Sequence, residues 1–268
     1  MKSILRKVVP RNLWEAVRQA KILQNVRRFP RRMVTRRFGT DEFKIVIADR
    51  LSEAWYDRDW QSLAEIEILA QNRLRDGALV FDLGAHQGVV AMMLARHVGA
   101  TGRVIAVEGM AHNCEVAKEN AKLNGYENID VVHAVVTDDC GTARFFNGLN
   151  GSVTRDGVGQ DLKAVSIDAL SETHGMPDVV FVDIEGYELN ALRGAPQTLR
   201  RNCDWFVEVH VNCGLERYGG TAGKVLSFFP EDRFHRYAWK LDSGECPRAL
   251  RINDPVTSDR FALVAIAK

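Results

Sequence analysis

The apolar positions of this chain fall into short continuous or alternating runs, separated by stretches in which they recur every three to four residues. The first pattern predicts buried strands and the second amphipathic helices. A strand is expected over residues 43–48. A helix over 63–74 follows the aromatic cluster WYDRDW, which holds Trp55, Tyr56 and Trp60. Next come a strand at 79–83, a helix at 89–98, a strand at 104–107, a helix at 114–123 and a strand at 129–136. This is the alternation of a parallel α/β sheet with right-handed crossovers. Residues 138–160 interrupt it with Gly141, Gly148, Gly151, Gly157 and Gly159 among Asn and Asp, the mark of a loop or hairpin excursion. Strands are then expected at 165–167, 179–183, 206–211, 234–239 and 261–267, with a helix at 222–229. With 165–167 assigned to the excursion, seven sheet strands remain from residue 79 onward, a Rossmann-like α/β arrangement with helices on both faces.

Two strand ends carry the most informative chemistry. VFDLGAHQG (residues 80–88) is followed about twenty residues later by RVIAVEG (103–109). Gly84 and Gly88 allow a sharp turn and a close backbone approach to a ligand, and the helix after Gly88 aims its positive end at an anionic group. A dinucleotide site wants a small glycine where this chain has His86. The imidazole argues against a pyrophosphate and suits the smaller carboxylate of an amino acid, which S-adenosylmethionine carries. In that arrangement Asp82 or nearby carbonyls receive the amino group, the turn Gly84, Ala85, His86 and Gly88 faces the carboxylate, and Glu108 accepts from both ribose hydroxyls. Gly109, Asn113, His133 and Ala134 complete the expected cofactor contacts. His112 and Asn113 also suit capping of the next helix.

Later strand ends supply candidates for catalysis. DIEGYE (183–188) and FVEVHV (206–211) bring Asp183, Glu185, Glu208 and His210 to the same sheet edge. Strand alternation sends Ile184 away and returns Glu185 to the side of Asp183, so two carboxylates share one pocket. Glu185 or Glu188 equally suits capping of the helix that begins at Glu188. His210 has the intrinsic proton affinity of a general base, although a strand histidine satisfied by a carboxylate is the commoner case. The same groups are compatible with a divalent metal, but spacing alone defines no ligand set, and none is assigned. His86, lying within the cofactor turn, is expected to line the pocket and not to act as a base. The aromatic cluster is expected to pack the N-terminal segment on the sheet, with a cover over cofactor or substrate as its alternative.

Charge divides the chain. Its formal net charge is +1, yet residues 1–40 hold twelve Lys or Arg and one acid, Glu15, which leaves 24 basic against 34 acidic residues in the remainder. Leu13, Ala16, Val17, Ala20 and Leu23 recur at helical spacing in this arm, with Arg11, Arg18 and Lys21 on the other side. A basic helical arm over 1–40 suits a membrane surface, an acidic partner, a nucleic acid, or the acidic body of this chain or of a second copy in a homo-oligomer. The body, 41–268, is expected to be one domain, with an N-terminal cover at 41–78 and the excursion at 138–160 as a substrate mouth. Five cysteines without paired spacing point to a reducing, cytoplasmic setting, and no apolar run is long enough for a transmembrane segment.

The segments FDLGAHQG (81–88), RVIAVEG (103–109), KENAKLNG (118–125), VDIEGYELNALRGA (182–195) and FVEVHV resemble the FkbM-like family of S-adenosylmethionine-dependent methyltransferases. The likeness spans about residues 79–211, and D-x-E-G-x-E with its following L-x-G-A is more specific than the glycine turn. It implies a class I methyltransferase sheet of seven mostly parallel strands with an antiparallel last strand. It also implies O-methylation of a hydroxylated small molecule such as a sugar, polyketide or other secondary metabolite. Two positions depart from the family: asparagine is common where this chain has His86, and proline where it has Gly109. Gly84, Gly88 and Glu108 remain, so cofactor binding is expected to survive. Competing readings are a nucleotide-dependent oxidoreductase, opposed by His86, and a non-catalytic binding module recruited through its basic arm.

Overall fold

The computed structural model describes residues 11–146, 148–154, 159–241, 243–251 and 259–268, with side chains from residue 17 onward. The arm before Arg11, the side chains of Leu13 and Ala16, and Gly157 of the excursion therefore lie outside the described residues. Helix α1 (Arg11–Arg28) stops ahead of Pro30, which disfavours helical backbone in the residue before it. The chain then forms a hairpin of β1 (Arg32–Phe38) and β2 (Asp41–Ile47) around Gly39, whose positive φ of 64° suits the tight turn. The arm expected to be helical through residue 40 thus ends as a strand. Its arginines turn toward acids of the body: Arg31 pairs with Glu119, Arg32 with Glu53 and Asp57, Arg36 with Asp57, and Arg37 with Asp59. Much of the charge asymmetry is met within the chain itself.

Helix α2 (Arg50–Tyr56) starts from Asp49, which closes a capping box with Ser52. Helix α3 (Ala64–Ala70) is shorter than the expected 63–74. The core unit follows in chain order: β3 (Leu79–Leu83), α4 (Val89–Val98), β4 (Arg103–Glu108), α5 (Ala111–Leu123) and β5 (Ile129–His133). The strand expected over 129–136 is broken at Ala134. Beyond the break, β6 (Val135–Val136), β7 (Gly141–Phe146), β8 (Ser152–Val153) and β9 (Gln160–Val165) build a separate four-stranded sheet ordered β6-β9-β7-β8. The excursion is therefore a small sheet, and the segment expected as a strand at 165–167 is the end of β9 and the start of α6 (Ile167–His174). Ser166 caps that helix by accepting from Ala169 N at 3.2 Å, a signal present in the sequence.

The chain continues through β10 (Val179–Val182), α7 (Glu188–Arg193), β11 (Asp204–Val209), α8 (Ala222–Leu226), β12 (Phe234–Lys240), β13 (Arg248–Ala249) and β14 (Phe261–Ala267). The main sheet runs β13-β12-β14-β11-β10-β3-β4-β5, seven long strands plus the two-residue β13. β14 is antiparallel to both β11 and β12, while β11, β10, β3, β4 and β5 are mutually parallel. Period-two alternation divides β10 between two cores: Val180 and Val182 join Leu189, Trp205 and Phe229, while Val179 and Phe181 join Met92, Leu69 and Ile45. β3 leads to β4 on one side and neighbours β10 on the other. This switch in strand order opens a crevice at the carboxyl edge, where α/β sheets hold ligands.

Candidate functional site

The turn after β3 leans on both neighbouring strands. Gly84 N and Ala85 N both donate to Val107 O, at 2.9 and 3.1 Å. Gly84 has φ 95°, and a Cβ there would stand 1.8 Å from the Asp183 carbonyl oxygen, so only glycine fits where the turn passes the end of β10. His86 holds a left-handed φ of 47°, unusual outside glycine. Three contacts secure it: His86 N donates to Glu108 Oε2 at 2.9 Å, the ring Nδ1 shares a 2.9 Å hydrogen bond with Tyr56 Oη, and the Trp55 ring lies 5.0 Å away. Gly88 holds φ 78°, the turn expected of it, and a Cβ there would also come within 3.0 Å of Ala117 Cβ, so it permits α4 to pack on α5 as well.

Glu108, at the end of β4, is buried, and its carboxylate accepts from His86 N, from Met110 N at 2.6 Å and from Asn113 Nδ2 at 3.5 Å. Burial raises its proton affinity, and these hydrogen bonds oppose the rise. A carboxylate offers about four lone-pair sites, so capacity remains for one further donor. Asn113 does not cap α5, whose first residue is Ala111 and whose N-cap is Met110; it lies buried behind Glu108. Gly109 has its own reason: a Cβ there would sit 2.6 Å from the Phe145 ring of the excursion sheet. Ala134 lines the same wall, whereas His133 is exposed, its Nε2 3.0 Å from Gly109 O, outside the cleft.

Two lobes of the cleft meet at Gly84, Asn150, Asp183 and Glu185. The first, about 500 Å³ with its open mouth, lies between Glu108, Gly109, Ala134 and Phe145. The second, about 530 Å³, lies under Trp55, Tyr56 and Trp60 and reaches Asp82 and His86. The aromatic cluster thus packs the N-terminal segment and also roofs the cleft. Beyond Trp60 an outer groove of about 1090 Å³ runs between Arg58, Glu65, Glu208, Leu241 and Arg260. Asp82 is 2% exposed, its Oδ2 has no hydrogen-bond partner among the described residues, and burial pushes its pKa up to about 7. Burial takes Glu65 to about 7 as well, and it takes His86 down to about 4, leaving the ring neutral.

The expected carboxylate pair does share one pocket, though not by strand alternation. β10 ends at Val182, and Glu185 reaches the cleft through a left-handed φ of 54°, while Ile184 also lines the first lobe. Glu185 accepts from Asn150 Nδ2 of the excursion and does not cap α7. Glu188 instead turns back, its Oε1 accepting from Gly186 N at 2.7 Å and lying 2.8 Å from His210 Nδ1. His210, 1% exposed, stands behind Asp183 and Glu185, its Nε2 3.7 and 3.6 Å from their nearest oxygens and 3.4 Å from Glu208 Oε1. Burial opposes its charge, but Glu188 and the other carboxylates outweigh that and take its pKa up to about 10. Asp183 is raised well above the usual carboxylate range by burial and by Glu208. Phe145, Asn150, Ser152 and Tyr187 also line the cleft, and nothing in their sequence spacing marked them.

One long reversed strand between β11 and β12, at the end of an otherwise parallel sheet with its crevice at β3, is the plan of the class I methyltransferases. Their methyl donor is S-adenosylmethionine. The model of the methyltransferase FkbM domain matches residues 82–237, and the chain belongs to that family, which takes the place of the oxidoreductase alternative. Curated relatives match over short segments. The protein-L-isoaspartate O-methyltransferase 1 of Archaeoglobus fulgidus is 39% identical over 59 residues, 22% of this chain and 27% of its own length. An uncharacterized protein of Methanocaldococcus jannaschii is 32% identical over 74 residues, 28% and 27% of the two chains. This chain thus spans about a quarter of the length of these relatives. Among solved structures, an FkbM methyltransferase from Methylobacillus flagellatus KT gives TM-score 0.45 at 16% identity, over 70% of this chain and 43% of that one. A SAM-dependent O-methyltransferase from Thermotoga maritima gives 0.47 at 15% identity, over 88% and 77%.

Proposed function

We propose that this protein transfers a methyl group to a hydroxyl of a small molecule, using S-adenosylmethionine as donor. The observation that carries the reading is the place of Asp183, the one residue common to both cleft lobes and the outer groove. A proton acceptor is needed where cofactor and acceptor spaces meet, and this carboxyl stands there with raised proton affinity.

The residues fit the cofactor on their own evidence. Asp82 offers a buried carboxyl oxygen without a partner, suited to an ammonium group. Glu108 keeps an acceptor site for a ribose hydroxyl, and Gly84 and Gly109 leave their walls bare of side chains. When bound, the cofactor supplies an electrophilic methyl group on a sulfonium. Asp183 takes the proton of the acceptor hydroxyl, and Glu185, held by Asn150, orients that hydroxyl. His210 is enclosed behind both carboxylates, so it serves as a positioning residue, fixed through its Nδ1 by Glu188. Trp55, Tyr56 and Trp60 exclude water from the second lobe. The acceptor enters by the outer groove, whose Arg58 and Arg260 stand beside Glu65 and Glu208.

The α1 helix supports a docking role on the body: the Arg18 guanidinium lies 5.0 Å from the Phe146 ring centroid in the excursion sheet. Among the described residues no helix is long and apolar enough to cross a membrane. Labelled S-adenosylmethionine incubated with a panel of hydroxylated sugars and polyketides tests the proposal. Label is expected in an ether product with wild-type protein and not with Asp183→Asn. Transfer that Asp183→Asn leaves intact, or label found only on nitrogen or carbon, overturns it.

A further inference from the structure

We infer that Asp183, Glu185 and His210 form a binding site for one hard divalent cation of the Mn2+ or Mg2+ type, with Glu208 beside it. Donor atoms of Asp183, Glu185 and His210 all lie within 4.8 Å of one another. His210 Nε2 is buried, has no hydrogen-bond partner among the described residues, and points among three carboxylates at 3.4 to 3.7 Å. Those separations are long for charge-assisted hydrogen bonds, which run at about 2.7–2.9 Å. They suit donors sharing one ion: two atoms each about 2.1 Å from a common centre stand roughly 3 to 4 Å apart.

The surroundings agree. A metal-ligating histidine characteristically gives its other ring N–H to a carboxylate, and His210 Nδ1 lies 2.8 Å from Glu188 Oε1, in a side chain 0% exposed. Glu188 is itself fixed by Gly186 N. Asp183 Oδ1 is a second enclosed oxygen without a partner among the described residues, and it faces the same point. Four carboxylates crowd one imidazole and the Arg260 guanidinium, which pairs with Glu208 at 3.3 Å. Acids outnumber the cationic groups around this point, which suits a bound cation. Two carboxylates with a single imidazole favour a hard ion over the thiolate-loving metals. D-x-E in the loop after β10 and His210 just past the end of β11 deliver the set, which sequence alone left unassigned.

The cation site rests on this cluster alone. Its use, lowering the pKa of an acceptor hydroxyl bound at the junction, rests on the O-methyl transfer proposed above. Full-length protein freed of metal with chelator is titrated with Mn2+, with free Mn2+ followed by its electron paramagnetic resonance signal. One Mn2+ per chain is expected, with affinity falling at least tenfold in Asp183→Asn and in Glu185→Gln, and with excess Mg2+ displacing it. Glu185 is 37% exposed in its side chain, so its variant reads the site even where Asp183→Asn fails to fold. Absence of Mn2+ binding at millimolar concentration, or equal binding by wild type and Glu185→Gln, overturns the site and leaves His210 as a buried imidazolium neutralising its neighbours. Normal Mn2+ binding without methyl transfer to any hydroxylated acceptor overturns the O-methyltransferase reading instead.

Discussion

His86 makes the stability of this protein depend on pH in a direction that can be worked out in advance. Its folded pKa of about 4 lies below the ordinary 6.5 because burial disfavours the charged ring. Between those values the unfolded chain binds a proton that the folded chain refuses, so stability is fully present above pH 6.5 and is lost as pH falls toward 4. At about 1.4 kcal/mol per pKa unit, the loss from this one residue is about 2 kcal/mol at pH 5 and about 3 kcal/mol at pH 4. His86→Asn isolates it. Asparagine tolerates the left-handed φ of 47° that the turn requires, and it carries no titrating group. Urea denaturation at pH 7.5, 6, 5 and 4.5 measures both proteins. The variant is expected to start lower at pH 7.5 by about 1 kcal/mol, for the lost hydrogen bond to Tyr56. It should then lose less stability than wild type on acidification, so that the two cross at about pH 6 and the variant is the more stable by about 1 kcal/mol at pH 5. Parallel pH profiles would show that His86 protonates freely in the folded turn and refute the enclosed, neutral ring.

Three further outcomes follow from the geometry. Glu108→Ala should weaken S-adenosylhomocysteine binding by at least about tenfold in calorimetry, since a hydrogen bond to a charged group contributes about 1.5–3 kcal/mol; unchanged affinity would remove Glu108 from the site. Gly109→Ala places a Cβ 2.6 Å from the Phe145 ring and should cost about 1–3 kcal/mol by overpacking. That cost should vanish in the background of Phe145→Ala, and an additive double-mutant cycle in equilibrium unfolding would refute the contact. Removing residues 1–28 should leave cofactor affinity unchanged, whereas removing 1–40 should lower the melting temperature, because it strips β1 and the buried Phe38 from the core; equal melting of the two truncations would sink that boundary.

What the sequence made legible was the repeating part. β3, β4, β10, β11 and β14 are short apolar runs buried on both faces, and a strand buried on both faces advertises itself by continuity. The acidic residues at the ends of the parallel ones are therefore legible in the sequence as lying at one edge. The excursion was opaque for the opposite reason. In β7 most side chains are exposed or half-buried, so no apolar run marked it, and β8 is two residues long. Helix α6 was hidden because β9 runs straight into it, with Ser166 alone marking the boundary. Gly88 carries two demands under one letter: its φ of 78° makes the turn expected of it, and the 3.0 Å approach of Ala117 that helix packing imposes has no mark in the sequence.

The same contrast locates specificity. On the proposed reading the cofactor wall is built by strand ends and the turn between them, where Gly84, Glu108 and Gly109 are fixed by backbone approach and by buried hydrogen bonds. The proposed acceptor walls come from other segments: Trp55, Arg58 and Trp60 from the N-terminal cover, Leu241 and Arg260 from the two ends of the connection between β12 and β14, and Asn150 from the excursion. Two tight links tie the excursion to the segments after β10 and β11, Asn150 to Glu185 and Tyr218 Oη to Val153 O, the latter at 2.6 Å. A change of acceptor can therefore arise in the cover or the excursion without disturbing Glu108 or Asp82. A swap of residues 138–160 from another family member should alter acceptor preference while leaving S-adenosylhomocysteine affinity close to wild type, provided Phe145 and Asn150 are kept. Loss of cofactor binding in such a chimera, with both residues retained, would mean that the excursion holds the donor and not the acceptor.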